Sequence, residues 1–292
     1  MLLTKKVIIR SPLNLSVSID AHSGFCFGVV EAIKKAEAFL DNGKSIYCLG
    51  QIVHNEEEVK RLENKGMKTI TREEYQNLNN DTVLFRAHGE PPSSYQIARK
   101  NNINLIDASC PIVTKLQSRV RNAYLRNESV YIFGKHHHPE VIGLLGQTDN
   151  KAIVFQSLEE LNIKSLPQDI TLFSQTTRNK QEYARVIKWL KEKGIKVKVN
   201  NTICGEVANR QPEIENFCQQ FDKILFVAGK KSSNGKVLYN VCQSANNNAH
   251  FITEVSEIDI NWFKKNDTVG ICGATSTPQW LMQKTKAFLE AL

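Results

Sequence analysis

Short apolar runs alternate with amphipathic stretches along the whole chain, the pattern of α/β units whose strands run parallel. The runs predict strands at 45–49, 82–86, 104–107, 130–133, 152–155, 171–173, 196–199, 223–227, 250–253 and 268–272. Helical periodicity predicts helices over 29–40, 56–65, 93–100, 112–126, 181–193, 206–220, 236–245 and 279–292, with Pro278 as a first-turn proline of the last. Three cysteines, Cys26, Cys110 and Cys204, stand where a strand hands over to a helix, each beside Gly, Pro or small polar residues. Cutting there leaves three similar pieces, each reading helix, strand, polar motif, helix, strand, polar motif. The expectation is an α/β protein of three similar lobes with mostly parallel sheets: 1–109, with 1–27 partly against the third lobe; 110–203; and 204–292.

The polar motifs follow the strands. They are Val53-His54-Asn55 and Ala87-His88-Gly89 in the first piece, His138-Pro139-Glu140 and Ser174-Gln175-Thr176-Thr177 in the second, and Ser232-Ser233-Asn234 and Thr275-Ser276-Thr277-Pro278 in the third. Open parallel sheets bind ligands outside the carboxyl ends of their strands, so six such motifs can converge on one central pocket. A lone histidine is more often structural, but His54, His88 and His138 at equivalent strand ends point to a function. Ser232, Ser233 and Asn234 offer hydroxyls, an amide and backbone N–H groups at a helix start, which suits a phosphate oxygen. The segment is not a P-loop, because its second glycine comes late and Lys236 precedes Val237. The stretch around Ser276 reads equally as a helix cap. Two hydroxyl-bearing helix starts and three imidazoles together make a neutral-to-positive nest for a diphosphate. Glu140 is the one acid set within these motifs; shielded from water, such a carboxyl can hold a proton for delivery, although it also reads as a first-turn helix acid.

Composition narrows the classes. With 292 residues, 41% hydrophobic and 23% charged, the chain reads as an ordinary globular protein. A net charge of +8 fits an anionic ligand, yet the lysines of 191–198 are interleaved with apolar residues and read as solvated faces. No RNA-reading aromatic motif, zinc-finger spacing or heptad run is present, so no nucleic-acid partner is expected. Lys5, Lys6, Arg10 and Pro12 interrupt the N-terminal apolar residues, and no stretch reaches membrane-span length; a cytoplasmic protein, monomeric or weakly dimeric, is expected. Seven cysteines without disulfide spacing fit a reducing compartment. Cys48, Cys218, Cys242 and Cys272 lie in apolar patterns and read as small buried hydrophobes. Spacing alone leaves Cys26, Cys110 and Cys204 open between metal ligation and ordinary turn positions, since no Cys-x-x-Cys pair exists. If they hold a four-iron cluster, one iron lacks a protein ligand and can bind substrate, whereas an electron carrier would want four cysteines.

The motifs Gly24-Phe25-Cys26-Phe27-Gly28-Val29, Ile52-Val53-His54-Asn55, Arg86-Ala87-His88-Gly89, Asp107-Ala108-Ser109-Cys110-Pro111, His138-Pro139-Glu140-Val141, Ser174-Gln175-Thr176-Thr177, Asn209-Arg210-Gln211, Lys231-Ser232-Ser233-Asn234 and Ala274-Thr275-Ser276-Thr277-Pro278 occur in this order. From about Ile19 onward the chain thereby resembles the 4-hydroxy-3-methylbut-2-enyl diphosphate reductases, the LytB family of the non-mevalonate isoprenoid pathway. The resemblance implies one 4Fe-4S cluster held by Cys26, Cys110 and Cys204 at the centre of three lobes in approximate threefold pseudosymmetry. It implies that the iron without a cysteine binds the substrate oxygen, that Glu140 supplies protons, and that Thr176 keeps the donor hydrogen-bonded to substrate. His54, His88, His138, Ser232, Asn234 and Ser276 would bind the diphosphate, with Ser233 adjacent, and ferredoxin or flavodoxin would donate electrons. His22-Ser23-Gly24 departs from a common Pro-Arg-Gly, and the loop before Ser232 is one residue shorter than in some members. Residues 1–18 fall largely outside the resemblance and are expected as an extra strand or an unstructured arm. A zinc-dependent enzyme acting on a small phosphorylated metabolite is the alternative, weakened by the missing HExxH pattern. A non-catalytic iron-sulfur sensor or RNA-binding module rests on the basic balance alone.

Overall fold

The computed structural model describes residues 12–292; the arm expected at the N-terminus lies outside the described residues as far as residue 11. The first lobe carries α1 (Phe27–Leu40), β2 (Ile46–Leu49), α2 (Glu56–Asn64), β3 (Met67–Ile70), α3 (Arg72–Gln76), β4 (Thr82–Phe85), α4 (Pro92–Lys100) and β5 (Asn104–Asp107), preceded in the chain by β1 (Ser16–Ile19). The second carries α5 (Pro111–Leu125), β6 (Val130–Phe133), α6 (Pro139–Gly146), β7 (Ile153–Phe155), β8 (Asp169–Ser174), α7 (Lys180–Glu192) and β9 (Lys196–Val199). The third carries α8 (Gly205–Cys218), β10 (Lys223–Val227), α9 (Ser233–Ala245), β11 (Ala249–Ile252), β12 (Thr268–Gly273) and α10 (Gln279–Glu290).

Each lobe is built on a four-stranded parallel sheet, in the orders β3-β2-β4-β5, β7-β6-β8-β9 and β11-β10-β12-β1. The central strands are apolar on both faces, as all of Val130–Phe133 is buried, because helices cover both sides of each sheet. Six hydrophobic clusters, two per sheet, make the cores. The third sheet gains its fourth strand from the other end of the chain: Ser16 pairs with Thr268 and Ile19 with Ile271. Each cysteine of interest then follows the fourth strand of one sheet and caps the first helix of the next lobe: Cys26 after β1, Cys110 after β5 and Cys204 after β9. All three therefore lie at crossings between lobes. A buried tie also joins the first and third lobes: Glu58 of α2, fully buried, accepts from Arg61 at 2.6 and 2.9 Å and from Trp280 Nε1 of α10 at 2.6 Å.

Three elements depart from expectation. β3 is an edge strand whose Lys68 and Thr69 interrupt the apolar run, so its pairing with β2 is decided by the sheet rather than by its own pattern. Helix α3 spans five residues and is held by a capping box between Thr71 and Glu74. Helix α6 starts inside the His138 motif and is apolar nearly all round, which hides its period. Pro278 occupies the capping position ahead of α10 and not its first turn. No helix among the described residues is long and apolar enough to cross a membrane.

Candidate functional site

The two middle strands of each sheet aim their carboxyl ends at one pocket, where the chain order reverses across the sheet. The pocket is lined by His54 after β2, His88 after β4, His138 and Glu140 after β6, Thr176 after β8, Ser232, Ser233 and Asn234 after β10, and Ser276 after β12. Cys26, Cys110 and Cys204 line the same pocket. All twelve residues singled out from the sequence are thus brought together, with Val29, Ile52, Val53, Ile112, Val113 and Val207 supplying its apolar wall.

Each cysteine stands at the start of a helix, where unpaired backbone N–H groups favour a thiolate. Burial pushes the Cys26 thiol up, and the neighbouring Cys110 and Cys204 add to that, while the N–H groups of Val29 and Gly28 pull it down. Burial likewise raises Cys204 against the N–H groups of Glu206 and Val207. Gly28 is required by proximity, since a Cβ there would lie 2.9 Å from Cys110 Sγ. Three free thiols at helix starts, facing one pocket, fit an iron-sulfur cluster as ligands.

A second thiol group, Cys218, Cys242 and Cys272, is separate from this one. Its sulfurs lie within 4.8 Å of one another in the apolar core of the third lobe, between α8, α9 and β12. A four-iron cube interposes metal atoms between its ligands, which so tight a group has no room for. With neighbours such as Ile214, Phe226 and Leu238, these cysteines pack as small hydrophobes.

The imidazoles form a triangle, with ring centroids 4.9 Å apart for His54 and His88, 5.4 Å for His88 and His138, and 5.7 Å for His54 and His138. Burial, assisted by the Arg86 charge, lowers His54 to about 4; burial, assisted by His54 and Arg86, lowers His138 to about 3, and burial puts His88 well below its usual value. All three are therefore neutral at pH 7. The Glu140 N–H donates to His138 Nδ1 at 3.2 Å, which leaves the proton on Nε2 as a donor. Both His54 nitrogens, His88 Nδ1 and Asn234 Oδ1 are buried without a protein partner, an incomplete set that a polar ligand would satisfy. On the third lobe, Ser232 Oγ lies 3.1 Å from Ser276 Oγ and accepts from Gly235 N at 3.0 Å, while Asn234 Nδ2 donates to Thr275 Oγ1 at 2.9 Å. Gly229 allows this loop to reach the first lobe: a Cβ there would lie 2.3 Å from the His54 carbonyl oxygen.

Glu140 is buried at the floor, its Oε1 accepting from Thr176 N at 2.7 Å and its Oε2 bonded to Thr176 Oγ1 at 2.5 Å. Burial raises its pKa to about 7 against the lowering effect of those two bonds. A carboxyl so placed is protonated about half the time at neutral pH, the condition for a general acid.

Sequence reasoning missed the support beneath Cys26 and Cys204. Arg210 of α8, almost wholly buried, donates to Asp20 Oδ2 at 3.2 Å and Ser23 Oγ at 3.0 Å; Ser23 Oγ in turn donates to Asp20 at 2.7 Å and accepts from Gly273 N at 2.8 Å. The Asn209-Arg210-Gln211 motif marked the arginine, but nothing local marked partners 190 and 187 residues away. Breaking a buried ion pair costs about 3–5 kcal/mol because the remaining charge loses its partner. Arg210→Met is accordingly expected to lower the midpoint of chemical denaturation and to loosen the loop carrying Cys26, so that anaerobic preparations hold less iron; an unchanged midpoint would remove the pair from this role.

The profile of the LytB protein family matches residues 17–290. The chain is 46% identical over 284 residues to "4-hydroxy-3-methylbut-2-enyl diphosphate reductase" of Bacteroides fragilis, covering 95% of this chain and 98% of that one. It is 43% identical over 305 residues to the protein of the same name from Chloroherpeton thalassium, covering 95% and 97%. Among solved structures, it resembles the (E)-4-hydroxy-3-methyl-but-2-enyl diphosphate reductase described as the terminal enzyme of the non-mevalonate pathway, with a TM-score of 0.73, 33% identity and coverage of 95% and 99%. It also resembles the E-1-hydroxy-2-methyl-but-2-enyl-4-diphosphate reductase from Plasmodium falciparum, with a TM-score of 0.81, 28% identity and coverage of 95% and 88%.

Proposed function

Because this chain belongs to the LytB family, we propose that it reductively removes the allylic hydroxyl of 4-hydroxy-3-methylbut-2-enyl diphosphate, giving isopentenyl and dimethylallyl diphosphate. The reaction breaks one C–O bond, consumes two electrons and two protons, and releases water. The observation that carries the reading is a proton-holding carboxyl, Glu140, in one pocket with three helix-start thiols and an incompletely bonded set of neutral polar groups.

The diphosphate lies against His54, His88 and His138 and the helix starts at Ser232–Asn234 and Ser276. His138 presents Nε2–H, the serines present hydroxyls, and the N-terminus of α9 contributes its dipole. This binding energy, remote from the reacting carbon, holds the hydroxyl end toward the cysteines and Glu140. An iron-sulfur cluster of the 4Fe-4S type, held by Cys26, Cys110 and Cys204, would supply the electrons singly and a Lewis-acidic iron for the departing oxygen. Glu140 gives the proton that lets this oxygen leave as water, and Thr176, bonded to both carboxyl oxygens through its N–H and hydroxyl, fixes the direction of delivery. Apolar residues such as Val29, Ile52 and Val113 limit bulk water near the reacting end. A reduced ferredoxin or flavodoxin supplies the electrons, and Phe27, 46% exposed directly beside Cys26, leaves that cysteine's surroundings open to approach.

The pH dependence of kcat tests the acid role. The protonated carboxyl is the active form and its pKa is about 7, so kcat should be full at pH 6 and fall as pH rises through about 7. A kcat that rises with pH across this range would assign Glu140 the opposite role.

A further inference from the structure

We propose that Lys135 crosses the seam between the second and third lobes to orient the Ser233 hydroxyl toward the bound anion, acting as a positioning residue; this rests on the diphosphate reading above. Lys135 follows β6, one residue past Gly134, and its Nζ donates to Ser233 Oγ at 2.9 Å, a bond spanning 98 residues. Among the described residues it is the cation whose side chain bonds the Ser232–Asn234 motif, and its charge is felt at both His54 and His138. Among the described residues no carboxylate lies within ion-pair distance of Lys135, Lys231 or Lys236, whereas the adjacent Lys230 is paired with Glu257 at 3.1 Å. Arg86, the buried cation nearby, is directed elsewhere and donates to the Gln51 carbonyl at 2.9 Å.

A serine hydroxyl has one proton and two lone pairs, and an ammonium has donors only. Lys135 therefore occupies a lone pair of Ser233, and the Ser233 proton must go to another acceptor. Among the described residues Ser233 Oγ donates to no protein atom. Around it, Ser232 Oγ accepts from Gly235 N and shares one hydroxyl proton with Ser276 in their mutual bond, and Asn234 Nδ2 donates to Thr275; among the described residues none of these three accepts from a charged donor. A hydroxyl that accepts from a charged donor is itself a stronger donor. Ser233 is thereby the member of the motif whose proton is both free and polarised, in a pocket whose histidines carry no charge.

The test is calorimetric titration of the anaerobic, cluster-loaded enzyme with inorganic pyrophosphate, using the wild type, Lys135→Met, Lys135→Arg, Ser233→Ala and the Lys135→Met/Ser233→Ala pair. Loss of a charge-assisted bond predicts a Kd raised about ten- to a hundredfold in Lys135→Met and in Ser233→Ala. Because one acts through the other, the double variant should bind about as weakly as the weaker single variant, and Lys135→Arg should retain most of the affinity. With the diphosphate substrate, Lys135→Met should raise KM while kcat changes by less than about threefold. Wild-type affinity in Lys135→Met, or losses that multiply in the double variant, would overturn the inference. Ser232→Ala and His138→Ala separate the two levels: if neither weakens pyrophosphate binding, it is the diphosphate reading itself that fails.

Discussion

Glu140→Gln is expected to bind the diphosphate substrate with near-normal affinity and to turn over at least about a hundredfold more slowly, the scale of a lost general acid. The amide is nearly isosteric and can accept from Thr176 N through its oxygen, so the floor of the pocket keeps its shape. It has no proton to release at neutral pH, and the descending limb of the kcat profile should vanish with it. Steady-state kinetics against pH, with pyrophosphate titration for binding, separate these effects. Near-wild-type turnover would remove Glu140 from the mechanism; equal loss of binding and turnover would make it a ground-state contact instead.

The second large effect concerns the two thiol groups. Cys204→Ser should lose the iron-sulfur chromophore and the associated iron and sulfide, because a hydroxyl is a poor replacement for a thiolate and the other two cysteines are left to hold the cluster alone. Cys242→Ser changes a sulfur in the closed core of the third lobe, 3.7 Å from Cys272 Sγ, and should keep the chromophore while losing some stability to a buried hydroxyl. Anaerobic purification followed by absorbance and metal analysis decides the matter. Equal retention in both variants would refute the ligand assignment, and stoichiometric zinc in a colourless wild type would favour the metal alternative.

The parts of this fold legible in the sequence were those encoded locally. Apolar runs such as Val130–Phe133 and Lys223–Val227 announce buried parallel strands, and the polar motif that follows each can face only the carboxyl end of its sheet. The six motifs group together on that pattern alone, whereas the roles of their residues follow from family resemblance. What stayed hidden depends on pairing across long chain separations. An extra strand or an unstructured arm is expected near the N-terminus, but the bounds and register of β1, a four-residue strand with exposed Ser16 and Ser18, are set only by β12. Nothing near Asp20 and Ser23 in the chain marks them as partners of Arg210, which α8 brings onto them from 190 and 187 residues away. No local pattern singles out Lys135, whose partner Ser233 lies 98 residues away. In α6 the helical period was masked because Pro139–Gly146 is apolar on nearly every face. Cys48, Cys218, Cys242 and Cys272 are each buried, as their apolar surroundings in the sequence lead one to expect, but that Cys218, Cys242 and Cys272 meet one another is a property of the packing alone.

The central claim is that one pocket couples diphosphate binding to reductive loss of a hydroxyl. Its most direct test is turnover of 4-hydroxy-3-methylbut-2-enyl diphosphate by the anaerobically purified, cluster-loaded enzyme with a chemically reduced viologen as electron source. Substrate-dependent oxidation of the viologen is expected, with matching appearance of isopentenyl and dimethylallyl diphosphate. A fully loaded enzyme that binds the substrate yet oxidises no viologen and forms neither product would contradict it.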